Sequence, residues 1–132
     1  AESEVAVPYE IVCHGDLSPC NTVFVAGTPC FLIDFDAAHP GQRIRDVAYA
    51  SWLWLDIGNE DYQPQVQAFR LQHFLQAYGG QDASDLIEAM IMRQTELQHD
   101  ANERGWHDTA AWAHACQAWV RRYAQILKRM SV

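Results

Sequence analysis

Lysine is almost missing from this 132-residue chain: Lys128 is the only one. The seven glycines never fall into a G-x-G-x-x-G pattern. A glycine-rich loop with a lysine to hold nucleotide phosphates is therefore not written in the sequence. Positive charge is scarce overall. Nine Lys and Arg face 17 Asp and Glu, a net charge of −8, which disfavours a surface that tracks nucleic-acid phosphates. The late basic residues Arg121, Arg122, Lys128 and Arg129 fall near a predicted helix end, where cations favour the dipole. No apolar run approaches the roughly 18 residues that cross a bilayer, so no membrane association is expected. The opening Ala-Glu-Ser-Glu is acidic and leads into no apolar signal region. A cytoplasmic chain with reduced thiols is the expectation. The four cysteines form no C-x-x-C pair, and the spacing of Cys13, His14 and Cys20 fits no common zinc pattern.

What is present is apolar enough to fold. Hydrophobic residues make up 49% and charged residues 20%, the balance of one globular domain spanning 1–132. Residues 1–8 read as a tail, 9–43 as strands and loops, and 44–132 as a helical body. Tyr9 to Cys13 is a short β-type run. Thr22-Val23-Phe24-Val25 and Cys30-Phe31-Leu32-Ile33 flank the turn Ala26-Gly27-Thr28-Pro29 and predict a hairpin. Its two ends would present Asn21 and Asp34 on one side. Pro40-Gly41 reads as a second loop. From Ile44 the spacing turns helical through Val47, Ala48, Ser51, Trp52 and Leu55. A second helix is predicted from Pro64 to Tyr78, with Val66, Phe69, Phe74 and Leu75 inward and Gly79-Gly80 as its stop. Asp82 to Ser84 would cap a third helix reaching about His99. A fourth starts near His107 or Asp108 and carries Trp112, Cys116, Trp119, Tyr123, Ile126 and Met130 on one face. The fold class is α+β, a small hairpin platform followed by a helical bundle.

The residues with chemical meaning are clustered early. His14-Gly15-Asp16-Leu17-Ser18-Pro19-Cys20-Asn21 is followed by Leu32-Ile33-Asp34-Phe35-Asp36. A carboxylate, an amide five residues on, and a second carboxylate after an apolar run suit phosphoryl transfer. Asp16 would take the proton of a substrate hydroxyl, while Asn21 and Asp34 would hold magnesium on the phosphates of ATP. Asp36 is either a further metal ligand or a surface aspartate. His14 would shape the loop through hydrogen bonds to backbone groups. Asp82, Asp85, Glu88, Glu96, Asp100, Glu103 and Asp108 form an acidic series that reads first as a solvated face.

His14-Gly15-Asp16-Leu17-x-Pro19-x-Asn21, then Ile33-Asp34-Phe35-Asp36, then Arg45-Asp46-Val47-Ala48, resembles the aminoglycoside phosphotransferase and choline kinase-like family. These small-molecule kinases share a protein-kinase-like fold. The resemblance is carried by residues 11–57. It implies a kinase-like C-terminal lobe in which Asp16 is the catalytic carboxylate. Asn21 and Asp34 would be the Mg2+ ligands, with Asp36 as a second acidic position. Asp46 would be the structural aspartate that accepts hydrogen bonds from the catalytic loop. It also implies an acceptor bearing a hydroxyl, and acidic C-terminal helices that suit a cationic one.

The sequence departs from that pattern where the N-terminal lobe belongs. No nucleotide-binding lysine stands in place, since Lys128 lies on the last helix. Two readings follow. In one, the chain is the catalytic lobe of a phosphotransferase, weakly active by itself, completed by a missing N-lobe partner or shielded as a homodimer. In the other, it is a non-catalytic binding module. The run from Leu32 to Trp54 resembles trifolitoxin immunity proteins, which protect bacteria from a peptide bacteriocin.

Overall fold

Residues 10–129 are described by the structure, a computed structural model. Four short strands precede four helices: β1 (Ile11–Cys13), β2 (Thr22–Val25), β3 (Thr28–Leu32), β4 (His39–Gly41), α1 (Arg43–Leu55), α2 (Pro64–Tyr78), α3 (Ala83–Glu103) and α4 (His107–Arg129). A single 3₁₀ turn, Pro19–Asn21, leads into β2. The class is α+β, as the sequence predicts. Tyr9, the expected start of β1, and Met130, the expected end of the α4 stripe, lie outside the described residues.

β2 and β3 form the predicted hairpin, antiparallel, with Thr22 opposite Leu32 and a register shift between Val23 and Phe24. The backbone N–H of Ile33 donates to the Asn21 carbonyl at 2.9 Å, which extends the pairing by one rung and leaves Asp34 just beyond it. All of β3 is exposed. Residues 17–33 contain no charged side chain, yet Phe24, Phe31, Leu32 and Ile33 stand in solvent.

Pro40-Gly41 is not a free loop. His39–Gly41 pairs antiparallel with β1, matching Ile11 to Gly41 and Cys13 to His39. Pro40 lacks an N–H, but in a two-stranded ribbon one side of each strand faces no partner, so the donor is not missed. This ribbon carries the chain from β1 directly to the start of α1.

The core is the helical body. Trp52, Leu71, Leu86, Ile87, Met90, Val120 and Leu127 are almost fully buried in one cluster. α1 stops where Asp56 adopts a left-handed backbone, φ 55°, and its N–H bonds to the Trp52 carbonyl. α2 has the predicted ends, with Pro64 in its first turn and Gly79 at its C-cap. Its inward face is the predicted one only in part: Leu75 is buried as expected, but Val66 and Phe69 are not. Val66 is 46% and Phe69 55% exposed, while Gln67, Ala68, Leu71 and Leu75 are buried. Ala68, Leu71 and Leu75 form an apolar face at helical spacing, and on the same side the buried Gln67 amide donates to the Asp56 carbonyl at 2.7 Å. Phe74 is half-buried and packs on the core, as expected. The side chain of Asp82 caps α3 by accepting from the Asp85 N–H at 3.0 Å, and α3 runs on to Glu103, past the predicted His99. On α4, Cys116 and Trp119 are buried, whereas Trp112 is partly exposed and stacks flat on Trp52 with centroids 4.9 Å apart.

Candidate functional site

The loop after β1 is held by one carboxylate. Asp46, buried in the first turn of α1, accepts the His14 N–H at 2.7 Å and the Gly15 N–H at 3.0 Å. A negative charge there also favours its own helix dipole. The His14 ring is fixed at both nitrogens. Nδ1 accepts from the Asp16 N–H at 3.1 Å, so the proton resides on Nε2, which donates to the Ile33 carbonyl at 2.8 Å. One imidazole thus ties the loop to the end of the hairpin. Gly15 between them has φ +89°, and a Cβ there would fall 2.4 Å from the Ala37 carbonyl oxygen. Only glycine fits this crossing.

Asp16 is gripped through both oxygens. The Tyr49 hydroxyl donates to Oδ1 at 2.7 Å, and the Asn21 amide donates to Oδ2 at 2.9 Å. The same Asn21 nitrogen reaches the Asp16 carbonyl at 3.0 Å. This use of the nitrogen assigns the amide orientation and leaves the Asn21 oxygen without a hydrogen bond among the described residues. Burial, and then the bond to the Asp16 carboxylate and its charge, push the Tyr49 phenol well above its ordinary value. The hydroxyl is therefore a fixed donor at neutral pH.

Asp34 follows the hairpin with φ 59°, in the left-handed region. A non-glycine residue held there is strained by about 1–3 kcal/mol, a cost most often met at functional sites. Among the described residues its side chain accepts one long bond, 3.4 Å, from the Asp36 N–H. Asp36 is exposed. Gly15, Asp16, Asp34, Asp36 and Ala37 line one wall of an open cleft of about 590 Å³.

The opposite wall comes from α3 and the turn after it: Arg93, Glu96, Leu97, Asp100, Arg104 and Trp106. Arg93 reaches across, donating from Nη2 to the Gly15 carbonyl at 2.8 Å. Its guanidinium also lies 4.7 Å over the Tyr49 ring. Glu96 takes Arg45 in a two-pronged pair at 3.1 and 2.9 Å and Arg93 at 3.3 Å. Asp100 takes Arg104 at 3.0 Å. Burial pushes the Glu96 carboxyl up, but hydrogen bonding and charge from Arg45, with Arg93 behind, outweigh it and the net shift is downward.

The structure therefore gathers His14, Asp16, Asn21 and Asp46 into one hydrogen-bonded cluster and places Asp34 and Asp36 beside it on the cleft. Of the acidic series, only Glu96 and Asp100 reach the cleft. Sequence reasoning missed Tyr49 and Arg93. Tyr49 had a signal, since it lies three residues after Asp46 and shares its helix face. Arg93 had none, being 78 residues from its partner.

Of the two residues expected to hold a divalent cation, Asp34 lines the cleft, while Asn21 lies behind Asp16, bonded to it. Magnesium needs one or two carboxylates besides phosphate and water oxygens. The spare Asn21 oxygen and the weakly engaged Asp34 carboxylate are hard donors of that kind. Among the described residues, no three His, Cys, Asp or Glu side chains are grouped to hold a metal by themselves. Cys13 is buried with its thiol donating to the Gln42 carbonyl at 3.4 Å, and burial raises its pKa.

Compared with known families, residues 4–90 match the model of the phosphotransferase enzyme family. No match was found among curated proteins or among solved structures. A small antiparallel strand set followed by four helices is consistent with the C-terminal lobe of a kinase-like fold. With two thirds of its length covered by that match, the chain belongs to the phosphotransferase enzyme family.

Proposed function

We propose that this chain is the catalytic lobe of a small-molecule kinase, transferring the γ-phosphoryl group of ATP to a hydroxyl. The carrying observation is the Asp16 carboxylate, held by Tyr49 and Asn21 and facing a cleft with Asp34 at its edge. Asp16 would orient the acceptor hydroxyl and take its proton as the oxygen bonds to phosphorus and the bond to the ADP oxygen breaks. Asn21 and Asp34 would hold Mg2+, with Asp36 as a further ligand. The ion, when bound, would neutralise charge on the phosphates. His14 and Asp46 would keep the loop in shape.

The uncharged hairpin, with Phe31 64% and Phe24 46% exposed, supports a need for a covering partner. A lobe bearing the absent phosphate lysine, or a second copy of the chain, would serve. Activity of residues 1–132 by themselves would then be slow, because these residues hold no lysine placed for the phosphates. The same hairpin favours a second reading, a non-catalytic binding module such as a trifolitoxin-type immunity protein. No helix is long and apolar enough to cross a membrane among the described residues, and a cytoplasmic setting is part of the proposal.

Calorimetric titration of Mg-ATP into the chain, with Asp34→Asn beside it, tests the first reading. Binding that the variant loses supports it. No heat with either protein sinks it and leaves the binding module.

A further inference from the structure

Arg93 lines a second groove besides the motif cleft, and it is the one residue the two have in common. β4, the start of α1 and the first half of α3 bound this groove. Its volume is about 620 Å³, in the range of small-molecule sites. Asp16, Asn21, Asp34 and Asp36 take no part in it. Its apolar lining includes Ile44, Ala89 and Met92. Ile44 and Ala89 also pack on the helical core, which holds them in place. Met92 is 58% exposed, and an unbranched thioether in that position adapts to an aliphatic chain laid against it.

The charged groups of the groove divide into engaged cations and unpaired anions. Arg45 and Arg93 are both bound to Glu96, and Arg93 also donates to the Gly15 carbonyl. Their side chains are only 29% and 12% exposed. Asp85 and Glu88 are exposed and make no ion pair among the described residues. Asp85 stands in the first turn of α3, where the helix dipole favours it. Glu88 lies a turn further on, where that effect has faded. Carboxylates three residues apart on a helix repel, and a cation between them relieves the repulsion. Arg121 lines the neighbouring crevice with Glu88 but forms no ion pair with it. His39 Nε2 and Arg93 Nε lack hydrogen-bond partners among the described residues, yet both atoms are buried and out of a ligand's reach. The accessible charge of the groove is therefore negative, beside an apolar surface.

We propose that this groove is a second ligand site, one that takes a small organic ammonium ion with an aliphatic body. The body lies against Ile44, Ala89 and Met92, and the ammonium group is shared by Asp85 and Glu88. An anion would face two unpaired carboxylates and arginines already bound elsewhere. The site is separate from the motif cleft and does not rest on the phosphotransferase reading.

The test titrates the chain with n-hexylammonium, 1-hexanol and hexanoate, which share one carbon skeleton and differ in charge. Binding is read at the Met92 ε and Ile44 δ1 methyls in proton–carbon spectra, assigned with Met92→Leu and Ile44→Val. The expected result is a saturable shift of both methyls. The ammonium ion should bind about tenfold more tightly than the alcohol, and hexanoate most weakly. Asp85→Asn combined with Glu88→Gln changes two exposed side chains and leaves the core alone. That variant should bring the ammonium ion down to the affinity of the alcohol. Equal affinity for all three compounds, or tightest binding of hexanoate, overturns the proposal. So does a pair of methyls that none of them moves, or a shift confined to the Trp106 indole in the motif cleft. An ammonium affinity that the double variant leaves unchanged overturns it as well. Mg-ATP is titrated separately, and its binding or failure to bind bears on the kinase reading alone.

Discussion

The Tyr49 hydroxyl donates to Asp16 Oδ1 at 2.7 Å, so a residue on α1 sets the direction of the carboxylate in the loop. Removing that donor leaves the ring and its packing under Arg93 in place. Tyr49→Phe should cost about 1–2 kcal/mol in urea denaturation, the range of a part-buried bond to a charged group. An unchanged midpoint and slope would show that the bond contributes nothing to the fold.

The same bond predicts an alkaline limb. The folded Tyr49 phenol is raised above the ordinary value of 10.0. Between the unfolded and folded values the native state holds a proton that the unfolded chain has lost. Stability is therefore full below about pH 10 and falls as pH rises beyond it. Denaturation midpoints from pH 9 to 11.5 should decline more steeply in the wild type than in Tyr49→Phe. Parallel curves would refute the assignment.

At the acid end Glu96 has the opposite sign. Its folded pKa lies below the ordinary 4.5, so its contribution is present above that value and is lost as pH falls through the folded one. Glu96→Gln should be less stable than wild type at pH 7, and the gap should narrow below about pH 4.5. A gap constant from pH 7 to 3 would mean that the Arg45 pair adds nothing through charge.

Asp46 receives the two backbone N–H groups on separate oxygens, and an amide puts an N–H donor in place of one of them. Asp46→Asn should destabilise by about 1–3 kcal/mol, since a buried donor loses its partner. Exchange protection of the His14 and Gly15 amides gives a local reading. If both stay as protected as in the wild type, the carboxylate is not what holds the loop.

Gly15 and Gly27 make a paired test. Both have positive φ, +89° and +80°. A Cβ at Gly27 meets nothing within 4 Å, whereas at Gly15 it strikes the Ala37 carbonyl. Gly27→Ala should cost about 1 kcal/mol and Gly15→Ala about 2–4 kcal/mol. Equal costs would place the strain in the backbone torsion rather than in the crossing of the loop.

The elements read correctly from sequence were those with strong local punctuation. Pro64 and Gly79 bracket α2, and the turn at Ala26-Gly27 separates the two hairpin strands, although Thr28 and Pro29, expected in the turn, belong to β3. β4 escaped notice because Pro-Gly reads as a loop until β1 is known to lie beside it. The face of α2 was misread in its first half because Val66 and Phe69 compete with Ala68 and Leu71 for the apolar stripe, and the buried Gln67 that goes with the latter pair looks like a surface residue in sequence. In the site, spacing brought out the loop residues, which are close in sequence. Arg93, Trp106 and the arginine pairing of Glu96 and Asp100 depend on how α3 docks, and no local pattern encodes that.

The bond from Arg93 to the Gly15 carbonyl closes a span of 78 residues. Closing so long a loop has an entropic cost that must be met before the contact can form. During synthesis from the N-terminus, the motif loop would leave the ribosome long before its opposite wall exists. The cleft would then be assembled late, after the helices have packed, and an aborted chain ending before α3 would carry every motif residue and no working pocket. Non-local closure of this kind also slows folding relative to the helix pairs, whose contacts are nearer in sequence.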